Sequence, residues 1–212
     1  MIPDAATLGV FVAAAVALLL VPGPAVLYIV ARSIDQGRSA GLVSVLGVHL
    51  GSLVHVAAAA VGLSSLLVSS AVAFSFVKYA GAAYLLYLGV RALIAREEPV
   101  DIELRPAPLR TLVRQGAVVN VLNPKTALFF LAFLPQFVDP DAGYVAAQLV
   151  FFGLVFVALG LVTDGLYALA AGTAGGSLRS SRFFAGARRW VSGTVFIGLG
   201  LVTALSGSRQ KS

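Results

Sequence analysis

Residues 5–31 read AATLGVFVAAAVALLLVPGPAVLYIVA, an apolar run interrupted by Pro22-Gly23-Pro24. Its length decides the fold class, because about 18 or more consecutive apolar residues cross a bilayer as a helix. The interruption is equally informative. Pro24 lacks an amide donor and its ring clashes with the preceding turn, while Gly23 lets the backbone leave helical geometry. Asp4 is the only charge before the run, so the basic n-region of a cleaved signal peptide is missing. The run is expected to be retained as the first span.

Five further apolar runs follow: from 39 to the serine-containing stretch 64–70, then about 71–94, 112–138, 143–171 and 190–205. Of the 212 residues, 59% are hydrophobic and 11% charged, at a mean hydropathy of +0.95. A soluble domain of this length needs far more polar surface to cover its core. The runs lack the alternation of lipid-facing strands, so they predict helices and not a barrel. The expected class is an all-α integral membrane protein with six transmembrane helices. Without cysteine, disulfides, thiolate zinc sites and cysteine nucleophiles are excluded.

The net charge of +6 has a topological cause. One set of loops holds Arg32, Arg38, Arg91, Arg96, Arg105, Arg110, Arg114, Arg179, Arg182, Arg188 and Arg189. The opposite set, with both termini, holds only Arg209 and Lys211. The positive-inside rule puts the first set in the cytoplasm and both termini outside the plasma membrane of a prokaryote. Basic residues between spans, not on one soluble face, argue against nucleic acid as a partner. Residues 1–212 read as a single transporter domain: a first repeat at about 1–95, a connecting loop at about 96–110 and a second repeat at about 111–212.

The fourth run, LVRQGAVVNVLNPKTALFFLAFLPQFV at 112–138, is also interrupted, at Asn123-Pro124-Lys125 with Asn120 before it. Spans one and four open the two halves and run in opposite directions. That is the arrangement of two inverted three-helix repeats, in which broken helices mark a transporter's binding site. Pro24 and Asn123 each lie roughly 12–14 Å from the cytoplasmic edge at 1.5 Å per residue, close to the bilayer middle. Backbone groups freed there must meet protein, water or ligand. Paired structural kinks are the plainer alternative. The candidate translocation site is therefore Pro22, Gly23, Pro24, Asn120, Asn123, Pro124 and Lys125, with Asp164 beside it.

An ionisable residue at the centre of a span costs roughly 2.5–3.5 kcal/mol on insertion scales. Lys125 follows the second break, where unwound carbonyls or a substrate carboxylate could pair with it. Asp164 shares a helical face with Gly153, Val157 and Gly160, which points its carboxylate into the bundle. It could carry protons or hold an ammonium group; a salt bridge to Lys125 or a helix cap are the plainer roles. His55 is placed on the inward face begun by Gly47 and Gly51, with His49 pointing elsewhere. Each could relay protons or be satisfied packing. One Asp and two separated histidines make no metal cluster, and no cofactor is expected. Lys78 is read as snorkelling to the interface. Tyr79, Tyr84 and Tyr87 could line a path or sit in interfacial belts. The spacings Gly37/Gly41 and Gly47/Gly51 suit packing within the chain and leave a homodimer open.

Taken in order, several blocks resemble the LysE/RhtB family of amino-acid exporters. They are Pro22-Gly23-Pro24, the glycines at 37, 41, 47 and 51, Lys78-Tyr79-Ala80-Gly81-Ala82-Ala83-Tyr84-Leu85, Asn120-Val121-Leu122-Asn123-Pro124-Lys125, Phe129, and Phe133-Leu134-Pro135-Gln136-Phe137. The resemblance covers essentially the whole chain. It implies a six-span exporter of amino acids or related metabolites, of the threonine, homoserine and lysine efflux type, driven by protons. The residues alone leave a passive channel open. A membrane enzyme is less well supported, because Asp164, His49 and His55 show no nucleophile–base spacing.

Overall fold

The computed structural model describes residues 3–63, 71–94 and 106–174, together with isolated helical positions at 194, 197, 198, 201 and 204. Among the described residues there is no strand. Most of the sixth run, the greater part of the 96–110 loop, the 172–189 loop beyond residue 174 and the C-terminal tail lie outside them.

Helix α1 (Ala5–Leu19) is opened by Asp4, whose carboxylate accepts from the amides of Ala6 and Thr7 at 3.0 and 2.9 Å and from the Thr7 hydroxyl at 2.6 Å. Those bonds, the Thr7 hydroxyl foremost, hold the Asp4 carboxyl below its ordinary range. The helix stops where Pro22 and Pro24 remove successive donors. Helix α2 (Pro24–Gln36) then starts with Pro24 in its first turn, where a missing amide does no harm, at 54° to α1. The fourth run breaks in the same way. Helix α5 (Leu109–Val121) gives way to α6 (Pro124–Leu128), which continues through a π turn (Phe129–Phe133) and a 3-10 turn (Leu134–Phe137), bent by 50°. Helices one and four are thus both broken, as their prolines predict.

Between the breaks run α3 (Arg38–Ala58), prolonged by a π turn (Ala59–Leu63), and α4 (Ala71–Ile94). Helix α7 (Val145–Ala174) follows the fourth span. At 26 residues, α3 with its π turn is about 39 Å long, enough to cross a bilayer. One expectation needs correction: Arg32 is not a loop residue. It is buried within α2, and Arg110 and Arg114 belong to α5. Gly37 alone separates α2 from α3, and its φ of +84° makes the reversal without a polar loop.

Helix α3 is the packing centre, touching α2, α5 and α7. Its glycines allow backbone-to-backbone approach to α5. A Cβ on Gly47 would stand 2.4 Å from the Val113 carbonyl oxygen, and one on Gly51 2.6 Å from that of Ala117. A Cβ on Gly41 would meet Ser33 and Ala168 instead. Gly41, Gly47 and Gly51 therefore serve packing within the chain, whereas Gly37 serves the turn. Gly47→Ala is expected to destabilise the folded protein by about 1–3 kcal/mol, because the obstacle is rigid backbone. Gly165→Ala, where a Cβ meets nothing within 4 Å, is the control. Equal thermal stability of both variants in detergent would refute this account.

The half-helices α1 and α6 close against α7 through aromatic rings. Phe11 lies 4.7 Å from Phe152 and 5.2 Å from Phe137, and Phe129 lies 4.6 Å from Phe156, between ring centroids. This apolar cluster occupies the end of the bundle away from Arg32, Arg110 and Arg114.

Candidate functional site

In an α-helix the carbonyl of residue i accepts from the amide of residue i+4. Pro22, Pro24 and Pro124 have no amide, so the carbonyls of Leu18, Leu20 and Asn120 lose their helical donors. Leu18 O and Asn120 O keep tighter local bonds from the Val21 and Asn123 amides, at 3.1 and 3.0 Å, and each of the three carbonyls also meets a side chain from another helix. The Lys125 ammonium donates to Leu18 O at 3.0 Å and also to Val21 O at 2.7 Å. The Tyr167 hydroxyl donates to Leu20 O at 2.9 Å. His55 Nε2 lies 3.0 Å from Asn120 O, a contact that requires a proton on Nε2. The proline breaks thus leave three carbonyls open to side chains, and Lys125 and His55 bond two of them within the bundle while Tyr167 bonds the third at its surface.

The two breaks are therefore physically joined. Lys125 stands just after the second break and caps the open end of the first. Its chain lies against Gly23, where a Cβ would sit 3.3 Å from Lys125 Cδ. Asn123 caps α6 by accepting from the Lys125 amide at 3.1 Å. Asn120 ties the break to α3: its amide nitrogen donates to Val48 O and Ser52 Oγ, both at 2.9 Å, and its oxygen accepts from Thr126 Oγ1 at 3.0 Å. Asn120 and Asn123 are buried, whereas Pro24 and Pro124 are exposed on the bundle surface and Pro22 and Gly23 are half-buried. The prolines shape the breaks; the polar side chains furnish the interior.

Asp164, only 3% exposed, meets His49 and not Lys125: Oδ2 lies 3.1 Å from His49 Nε2. Its other oxygen, Oδ1, is buried without a hydrogen-bond partner. The plainer role, a salt bridge between Asp164 and Lys125, is not the one the structure shows, because the Lys125 ammonium turns to the Leu18 and Val21 carbonyls. The histidine placement is also reversed. His49 is the buried, inward residue, and its imidazole fills the notch left by Gly160. His55 is half-buried and stacks on Phe130 at 5.8 Å. The sequence reading took Gly47 and Gly51 to mark the inward face, but those glycines mark the contact with α5. The Lys78 side chain lies outside the described residues. Tyr79, Tyr84 and Tyr87 are exposed.

Between these groups lies a cavity of about 20 Å³, lined among others by Ala25, Val26, His49, Asn123, Lys125 and Asp164. That is room for about one water and not for a metabolite. The arrangement can hold a proton or a small cationic group at Asp164. The first amides of α2, at Ala25 and Val26, have no preceding turn to bond and suit an anionic group. Among the described residues no cluster of metal-ligating side chains occurs.

The sequence reading missed Tyr167. The signal was available, since Leu20 loses its donor to Pro24, but no spacing names the residue that replaces it. Gly160→Ala is expected to disturb the Asp164 pair without touching either member. Its Cβ would fall 2.2 Å from His49 Cε1, forcing the ring away. Transport should drop to the level of His49→Ala; activity at the unaltered level would show that the pair is not needed.

Comparison with known proteins identifies the family. The family model for the LysE type translocator matches residues 16–207. An uncharacterized membrane protein of Pseudomonas aeruginosa is 32% identical over 208 residues, covering 92% of this chain and 93% of its own. One of Bacillus subtilis is 27% identical over 206 residues, covering 92% and 97%. A leucine efflux protein of Salmonella typhimurium is 30% identical over 143 residues, covering 65% and 66%. No solved structure matches. The chain is a multi-pass membrane protein and a transporter, not an enzyme; it belongs to the LysE type translocator family.

Proposed function

We propose that this protein exports amino acids across the plasma membrane by proton antiport, as two inverted three-helix repeats with both termini outside. The observation that carries the reading is the Lys125 ammonium, which bridges the two proline breaks beside a buried Asp164–His49 pair. A zwitterion suits such surroundings. Its ammonium group matches the unpartnered Asp164 Oδ1, and its carboxylate matches the first amides of α2 and Lys125. The leucine efflux relatives support an amino-acid substrate, with leucine as the first to try.

A cavity of about 20 Å³ also favours a carrier over a channel. Passage requires the half-helices to move, and the phenylalanine cluster closes one end of the bundle. Proton coupling follows from competition at one carboxylate. A proton arriving from outside neutralises Asp164 and releases the ammonium group; its loss to the cytoplasm restores the counter-charge for the next substrate. The test is uptake of labelled leucine and other amino acids into everted vesicles. Accumulation driven by an acid lumen is expected. Equilibration indifferent to the gradient would indicate a channel and sink the proposal.

A further inference from the structure

A second, larger cavity of about 380 Å³ opens between α2 and α5, lined by Tyr28, Arg32, Arg114, Gln115, Val118 and Val119. No acidic residue is among the described residues that line it. Arg32 is 4% exposed and fixed in place: its two terminal nitrogens each donate at 2.9 Å, to Gln36 Oε1 and Gln115 Oε1, and its guanidinium sits 5.8 Å from the Tyr28 ring centre. Tyr28 is held in turn by donating to Leu112 O at 2.9 Å. Arg114 stands exposed at the rim. The cavity therefore has a fixed arginine in its wall, an exposed arginine at its rim and an apolar flank of two valines.

Its position relative to the central site is set by helical spacing. Ala25, Tyr28 and Arg32 recur at intervals of three and four, so they share one face of α2. Ala25 lines the small central cavity, while Tyr28 and Arg32 line the large one. One stripe of α2 thus leads from the arginine-bearing end of the bundle to Lys125 and Asp164. The volume also lies within the roughly 300–1,000 Å³ typical of small-molecule sites, which the central cavity does not.

We infer that this cavity is a cytoplasmic reception site for the substrate's carboxylate, in which the exposed Arg114 holds an amino acid before the half-helices admit it to the central site. The inference rests on the exporter reading and on the orientation proposed with it. Carboxylate and phosphate share the chemistry that guanidinium groups recognise, so an anionic lipid headgroup is the other source to separate.

The experiment measures leucine uptake by everted vesicles bearing the unaltered chain or Arg114→Gln. This exposed side chain can be changed without disturbing packing. The expected result is a leucine KM raised about five- to tenfold at an unchanged maximal rate, the scale of one partly screened charge contact. An unchanged KM overturns the inference. The variants are also reconstituted in phosphatidylcholine with and without phosphatidylglycerol; an effect present only with phosphatidylglycerol assigns the site to lipid and overturns it too. If the unaltered chain transports no amino acid, the exporter reading fails separately. The cavity is then judged on purified protein by binding of 4-methylpentanoate, which is leucine without its ammonium group. Binding weakened by Arg114→Gln upholds the carboxylate site, and no binding overturns it.

Discussion

Lys125→Ala is expected to lower amino-acid efflux by about a hundredfold or more, equivalent to about 3 kcal/mol in the transport barrier, while the protein still accumulates in the membrane. The Lys125 ammonium is the shared cap of two carbonyls at the end of α1, and it comes from the opposite broken helix. Removing it leaves the Val21 carbonyl a buried acceptor without its donor, at a cost of about 1–3 kcal/mol, and uncouples the two breaks. Lys125→Met separates charge from bulk, because its unbranched chain can keep the contact with Gly23. If efflux follows the charge, both variants are inactive. Efflux at the normal rate from either one would remove the ammonium from the mechanism.

Asp164→Asn is the second large effect. The amide cannot lose or gain a proton near neutral pH, and it offers no counter-charge to an ammonium group. The sign is fixed by the proposed cycle: acidifying the outer face speeds release from the unaltered chain, so concentrative export rises as external pH falls. In Asp164→Asn that slope should vanish, and accumulation in everted vesicles with an acid lumen should fall by about tenfold or more, equivalent to at least about 1.4 kcal/mol. A pH profile parallel to that of the unaltered chain would exclude Asp164 as the proton carrier. His49 needs the same assay, since its imidazole lies 3.1 Å from the carboxylate and could pass the proton on.

Much of the fold was legible because lipid imposes simple rules. Run length marked the apolar helices seen among the described residues, and the missing proline amides gave breaks that the structure places at residues 20–23 and 122–123. Lys125 and Asp164 were legible as interior groups because a charge in a span needs a reason. Their partners were not. A lysine following a break is equally compatible with a carboxylate, a substrate or a carbonyl, and only the close approach of α6 to the end of α1 selects the last. The inward face of α3 was misjudged for a related reason. Glycine reports that something comes close, and on α3 Gly47 and Gly51 admit the α5 backbone while His49 faces α7. Arg32 was counted with the loops because charge usually ends a span; a one-residue hinge at Gly37 let the helix run on.

The proline-freed carbonyls also constrain how the chain is made. Span one leaves the ribosome with the Val21 and Leu20 carbonyls short of the side-chain donors the folded chain gives them, Lys125 and Tyr167, which are encoded 104 and 147 residues later. Lipid offers such carbonyls nothing in the interval. The break after α1 is therefore complete only once Lys125 of span four is in place, and the Leu20 carbonyl waits further, for Tyr167 of span five. A segment that looks from hydropathy like the one most ready to insert is, by this logic, among the last to finish.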